Sequence, residues 1–179
     1  YAEKVFDRSK HMASIILNMS GYMRSAMSTE EKEINLNEKI DAAIEIAILT
    51  SYNNDIKLDK NFSEVPPIKA KSEEIQQIFI NLLTNAVQAM EGKGELRIST
   101  IGENGNVRAI IRDTGPGIPK EYLSKIYDPF FTTKEQGRGT GLGLNIVHQL
   151  VVKYGGKIDV SSQEGEGTTF SLTFPASQI

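Results

Sequence analysis

Apolar residues recur at helical spacing in the first half of the chain and at strand spacing in the second. Met12, Ile15, Ile16, Met19, Tyr22, Met23 and Ala26 fall three and four apart, which predicts an amphipathic helix over residues 5–27 with a face that needs a partner helix. Ser28 to Asn35 is polar, carries Glu30, Glu31 and Glu33, and reads as a linker, so a boundary is expected near residue 29. A second helix is expected over 38–51, a turn at Asn53-Asn54 and a strand from Ile56 to Phe62; Val65-Pro66-Pro67 then interrupts regular structure. Ser72 is a suitable N-cap for a helix running to about Met90, with Ile75, Ile78, Phe79, Leu82, Leu83, Ala86 and Val87 on one stripe. Alternation predicts strands near 95–102 and 106–113, joined through Glu103-Asn104-Gly105. A glycine-rich region fills 113–143 with a short helical piece near 120–126, then a helix over 143–154 and strands at 157–162 and 168–174. Helices first and strands later imply an α+β class: a two-layer sandwich of a mixed β-sheet with helices on one face, preceded by an N-terminal helix. The expected division is residues 1–29, an amphipathic helix, and 30–179, a globular domain.

Composition removes several chemistries. Among 179 residues there is no Cys, which excludes a disulfide scaffold, a Cys-ligated zinc site and a thiol nucleophile. His11 and His148 are the only histidines, too few for a His-rich metal centre. The 20 basic and 23 acidic residues leave a net charge of −3, too mild to indicate a nucleic-acid surface. No apolar run approaches the roughly 18 residues of a membrane span, and no charged-then-apolar leader opens the chain, so it reads as a cytosolic protein or the cytosolic piece of a larger one. Of fifteen glycines, only Gly21 precedes residue 92, so tight loops concentrate in the second half.

Three segments carry candidate chemistry. Opposite the apolar stripe of the 72–90 helix lie Gln77, Asn81, Asn85 and Gln88, a row of neutral amides where Lys and Glu are usual. Amide oxygens can ligate Mg²⁺ and amide NH₂ groups can donate to phosphate, although an uncharged surface face would look the same. Asp113-Thr114-Gly115-Pro116-Gly117 follows a strand directly; it is either an ordinary turn or a carboxylate placed to accept from an exocyclic amine such as that of adenine. Four glycines in the seven residues 137–143, flanked by Lys134 and Arg138, lead straight into a helix, which favours phosphate binding over a flexible linker. Neither a P-loop nor a dinucleotide fingerprint is present.

Taken in order, Asn81-Leu-Leu-Thr-Asn85-Ala, Asp113-Thr-Gly115-Pro-Gly117-Ile118, Asp128-Pro-Phe130-Phe131-Thr-Thr-Lys134 and Gly139-Thr140-Gly141-Leu142-Gly143-Leu144 resemble the asparagine, first glycine, phenylalanine and second glycine boxes of bacterial sensor histidine kinases. The ending from Gly165 through Thr168 and Phe170 to Pro175 resembles their closing strand, and the likeness spans about residues 34–176. It implies the Bergerat ATP-binding fold shared with gyrase-, Hsp90- and MutL-type ATPases. It also implies ATP and Mg²⁺ as cofactors. By that resemblance Asp113 holds the adenine amino group with Thr168 nearby through water, and Asn85 ligates Mg²⁺. Asn81 supports the phosphates, and Gln88 stands where many relatives carry a basic residue. Gly115, Gly117 and Ile118 line the nucleotide. The loop from Phe130 to Gly143 forms a lid over the phosphates, with Lys134 and Arg138 reaching them and Phe130 and Phe131 anchoring it.

The related ATPases carry Glu where this chain has Asn81. An amide cannot take a proton from water near neutral pH, so the reading is a kinase that keeps its γ-phosphate for a side chain. The implied acceptor is a histidine on an upstream hairpin, the implied partners are a response regulator and a second copy paired through the N-terminal helix, and any membrane attachment lies in other segments. His11 precedes Met12-Ala13-Ser14 rather than an acidic residue, so the 5–27 helix reads as the second helix of the hairpin, without the acceptor. His148 reads as a surface side chain. The alternatives are a nucleotide-binding regulatory module without transfer and a true ATPase of the same fold.

Overall fold

The computed structural model describes residues 30–49, 55–134 and 139–177. The expected helix over 5–27, His11, the boundary near residue 29 and the turn at Asn53-Asn54 lie outside these residues.

Among the described residues, seven strands and three helices follow in the order β1 (Lys32–Ile34), α1 (Leu36–Leu49), β2 (Asp55–Phe62), β3 (Ile68–Ala70), α2 (Ser72–Ala89), β4 (Lys93–Glu103), β5 (Asn106–Asp113), α3 (Gly143–Lys153), β6 (Lys157–Gln163) and β7 (Gly167–Pro175). One 3₁₀ turn, Lys120–Tyr122, lies where a longer helical piece was expected. The main sheet has the order β2-β4-β5-β7-β6; β2 runs parallel to β4 and the other neighbours are antiparallel. The expected α+β sandwich with a mixed sheet is therefore the observed fold.

Period-two alternation turns Leu96 and Ile98 of β4, Val107, Ala109 and Ile111 of β5, and Phe170, Leu172 and Phe174 of β7 inward, where all are buried. The α2 stripe meets them: Ile75, Ile78, Phe79 and Leu83 are fully covered, and each such side chain contributes roughly 1.5–3 kcal/mol. α2 lies between α1 and α3 and rests on β4 and β5, while α3 rests on β6.

Two local expectations are corrected. The stretch read as a linker contains β1, which pairs antiparallel with β3, Ile34 opposite Ile68, both buried. Three-residue strands are too short to show alternation, and the paired Ile34 and Ile68 lie 34 positions apart, so tertiary contact decides it. Ser72 is the first helical residue rather than the N-cap; Lys71 caps in an extended conformation with no side-chain cap bond. That helix end is held instead by long-range contacts. Lys71 N–H donates to the Tyr154 hydroxyl at 3.1 Å, Tyr154 donates to Glu74 at 2.5 Å, and Lys153 Nζ lies 2.8 and 2.6 Å from the two Glu74 carboxylate oxygens.

Candidate functional site

The register of the sheet places a carboxylate on a core rung. Asp113 is the last residue of β5, one step beyond Ile111 on the inward face, with Leu96 and Thr168 as its cross-strand neighbours. It is 5% exposed. Its Oδ1 accepts the Gly115 N–H at 2.8 Å and the Thr168 N–H at 3.3 Å, and Oδ2 has no partner among the described residues. Burial pushes the Asp113 carboxyl above the usual carboxylate range, and the two backbone N–H groups partly oppose this. Asp113 is thus a desolvated group with one acceptor atom held and one left over.

The loop after Asp113 fits closely on its surroundings. A Cβ at Gly115 would lie 2.9 Å from Asp113 Oδ1 and 3.3 Å from Ala89 Cβ, so this glycine seats the loop on the end of α2. Gly117 has φ +76, and a Cβ there would lie 2.2 Å from the Gln163 carbonyl oxygen in the β6–β7 hairpin. Ile118 N–H donates to Ser162 Oγ at 2.8 Å. Thr168 is buried beside Asp113, and Ser162 Oγ lies 3.0 Å from its hydroxyl.

The amide row on α2 separates into two kinds. Asn81 is buried; its oxygen accepts from Gln77 Nε2 at 2.9 Å and its NH₂ donates to the Gly143 carbonyl at 3.2 Å, tying α2 to the start of α3. Asn85 and Gln88 are more open, and Lys134 Nζ sits between their oxygens, 3.2 Å from Asn85 Oδ1 and 2.6 Å from Gln88 Oε1. Burial pulls the Lys134 ammonium below the usual lysine range. A cation already rests on the two amide oxygens, and such neutral hard donors suit Mg²⁺. Among the described residues no group of three His, Cys, Asp or Glu could hold a metal. A Mg²⁺ at Asn85 would therefore complete its shell with phosphate oxygens and water.

The second glycine-rich segment closes the ring. Gly139 lies against Thr132 and Lys134. Thr140 Oγ1 accepts from Leu142 N–H at 3.3 Å. α3 begins at Gly143 without a side-chain cap, so the N–H groups of Gly143 and Leu144 remain available at the positive end of the helix dipole. A Cβ on Gly143 would stand 3.7 Å from Asn85 Nδ2, which puts this helix start beside the amide row. Arg138 lies outside the described residues.

The two phenylalanines part company: Phe131 anchors as expected and Phe130 does not. Phe131 packs on the core and against Tyr122 with ring centroids 5.6 Å apart. Phe130 does not anchor through its ring, which is 74% exposed. Its backbone is what is pinned: φ is +67, the N–H donates to Gly141 O at 3.0 Å, and a Cβ on Gly141 would collide with the Phe130 carbonyl carbon. His148 is exposed and stacks near Tyr127, centroids 5.0 Å apart, as a surface side chain. Ser162 escaped the sequence reading. Its signal was a polar residue at an inward position of β6, two and four residues after Val160 and Ile158.

Residues 70–178 match the family model described as histidine kinase-, DNA gyrase B-, and HSP90-like ATPase. The chain is 32% identical over 173 residues to the sensor histidine kinase ZraS of Escherichia coli strain K12, covering 96% of this chain and 36% of that protein. It spans little more than a third of that relative. Among solved structures, the catalytic domain of the histidine kinase ThkA is 34% identical with a TM-score of 0.73, covering 82% of this chain and 96% of that one. Full-length ShkA, solved in complex with AMPPNP, shares the fold at 24% identity and a TM-score of 0.76, covering 95% of this chain and 37% of that one. No helix among the described residues is long and apolar enough to cross a membrane.

Proposed function

Because the chain belongs to the histidine kinase-, DNA gyrase B- and HSP90-like ATPase family, we propose that it is the ATP-binding catalytic domain of a sensor histidine kinase, passing the γ-phosphoryl group to a histidine on a helical hairpin. The observation that carries this reading is the state of Asn81. Its amide is buried and spent on Gln77 and on the Gly143 carbonyl, so no general base stands one helical turn before Asn85 to activate water. A nucleotide held here keeps its phosphate until a better nucleophile arrives.

In this reading Asp113 Oδ2 accepts the adenine amino group, and the Gly115–Ile118 loop lies along the base. The N–H groups opening α3 and the Gly139–Leu142 backbone take phosphate oxygens. Lys134 transfers its ammonium from Asn85 to the phosphates, and Arg138 adds a second cation. Asn85 Oδ1 holds Mg²⁺, which supplies charge neutralisation when bound, and Gln88 flanks it. Asn81 acts through position, keeping the start of α3 against the amide row. The domain thus works by orientation and electrostatics, while the acceptor imidazole supplies its own lone pair. We place it on the cytoplasmic side, with a response regulator as downstream partner and a second copy joined through the N-terminal helix.

Joining the chain to an acceptor hairpin and supplying γ-labelled ATP with Mg²⁺ tests the reading. Acid-labile, base-stable label on histidine, lost in Asn85→Ala, is the expected result. Steady phosphate release with no protein label would make it an ATPase instead.

A further inference from the structure

The sheet register sets Asp113, Thr168 and Ser162 side by side across β5, β7 and β6. Ser162 is only half-buried, yet its single oxygen meets three partners: Ile118 N at 2.8 Å, Gly167 O at 2.9 Å and Thr168 Oγ1 at 3.0 Å. A hydroxyl has one proton and two lone pairs. The Ile118 N–H can only donate, so it takes one lone pair. The Gly167 carbonyl can only accept, so it takes the proton. What remains on Ser162 is one lone pair, and Thr168 must therefore donate its own proton to it. Thr168 Oγ1 is left with lone pairs alone on the side of Asp113. Asp113 Oδ2, ionised, is likewise an acceptor without a proton.

We propose that Ser162 is a specificity-determining positioning residue: by claiming the Thr168 proton it makes the base-recognition edge all acceptor, so the site takes a 6-amino purine and refuses a 6-oxo purine. The inference rests on the nucleotide-binding reading above and deepens it. A 6-amino group brings its protons to this edge, first to Oδ2, whereas a 6-oxo group sets lone pairs against lone pairs there and carries its proton on N1 instead. The same serine also fixes the loop after Asp113 through Ile118, so one side chain sets both the shape and the hydrogen-bond polarity of the pocket.

The test is calorimetric titration with ADP and with inosine diphosphate, whose purine carries oxygen in place of the 6-amino group and a proton on N1. The full chain should prefer ADP by about 100-fold. Ser162→Ala frees the Thr168 proton to face the base, and the ADP-to-IDP ratio should narrow by roughly ten-fold. Ser162→Thr keeps a hydroxyl and should restore the ratio. Thr168→Val should narrow it as well, and adding Ser162→Ala to Thr168→Val should change the ratio no further, a signature that a merely structural role would not produce. Should Ser162→Ala fail to fold, Ser162→Cys keeps the bulk with a weak donor and acceptor and must show the same narrowing. An unchanged ratio in a folded Ser162 variant, with ADP still bound by the parent chain, overturns this inference alone. A parent chain that binds neither nucleotide overturns the functional reading and this inference with it.

Discussion

The two ends of α2 hold polar side chains to opposite purposes. At its start, Glu74 is buried yet fully engaged, with Lys153 on both oxygens and Tyr154 on one, and Tyr154 in turn accepting from Lys71. At its far end, the Asn85 and Gln88 side chains meet no hydrogen-bond partner but Lys134 among the described residues, and the neighbouring Asp113 keeps one carboxylate oxygen unpaired among them. Satisfied polar groups lock an element in place; groups with hydrogen-bond capacity to spare in a partly desolvated setting wait for a ligand. On the proposed reading the first cluster belongs to the fold and the second to the function, and substitutions should divide along that line.

The largest effect is expected at Asp113. Asp113→Asn preserves shape, but an amide whose oxygen still accepts from Gly115 and Thr168 presents NH₂ to the adenine amine, donor against donor. ADP affinity should fall by at least about 100-fold, while the melting temperature of the ligand-free chain stays level or rises, because a desolvated carboxylate has been removed. A retained affinity would dissolve the distinction between the two clusters. The pH dependence sharpens the same point. The carboxyl of Asp113 is raised in the folded chain, so its contribution to ligand-free stability is fully present below the ordinary carboxylate range and is lost as pH rises through the folded value. Affinity for ADP should run the other way over the same rise, since the amine needs an ionised acceptor. Both slopes should flatten in Asp113→Asn, as followed by thermal melts and titrations across that range.

Next comes the satisfied cluster. Lys153→Met leaves the buried Glu74 carboxylate without its cation and should cost about 1–2 kcal/mol of stability in denaturant unfolding, with ADP affinity of the folded protein unchanged within about two-fold. A large loss of affinity there would mean that the start of α2 governs the site after all. Asn85→Ala should act in reverse: stability nearly unchanged, and the Mg²⁺ enhancement of nucleotide affinity reduced by roughly ten-fold. The smallest effect is expected at Phe130, exposed and at φ +67. Phe130→Gly suits that backbone and should shift stability by less than about 1 kcal/mol.

What the sequence revealed follows the same division. The chemistry-bearing residues were legible because each sits in a short contiguous run whose composition is unusual for its element: amides on a helix face, a carboxylate closing a strand, glycines before a helix. The long helices and strands were legible from their periods. The Glu74–Lys153–Tyr154 cluster was not, because its members lie 79 and 80 positions apart and each is ordinary by itself. β1 and β3 escaped for want of length. Phe130 misled because an aromatic residue usually anchors by its ring, whereas here Gly141 holds its backbone. Ser162 escaped because a serine in a strand draws notice only once the register shows which residues flank it.

The most direct measurement is calorimetric titration of this chain with a non-hydrolysable ATP analogue, with and without Mg²⁺. The account predicts saturable binding at one site per chain, tightened by Mg²⁺ and absent in Asp113→Asn. No heat of binding from a folded chain, or binding indifferent to both Mg²⁺ and Asp113, would contradict it.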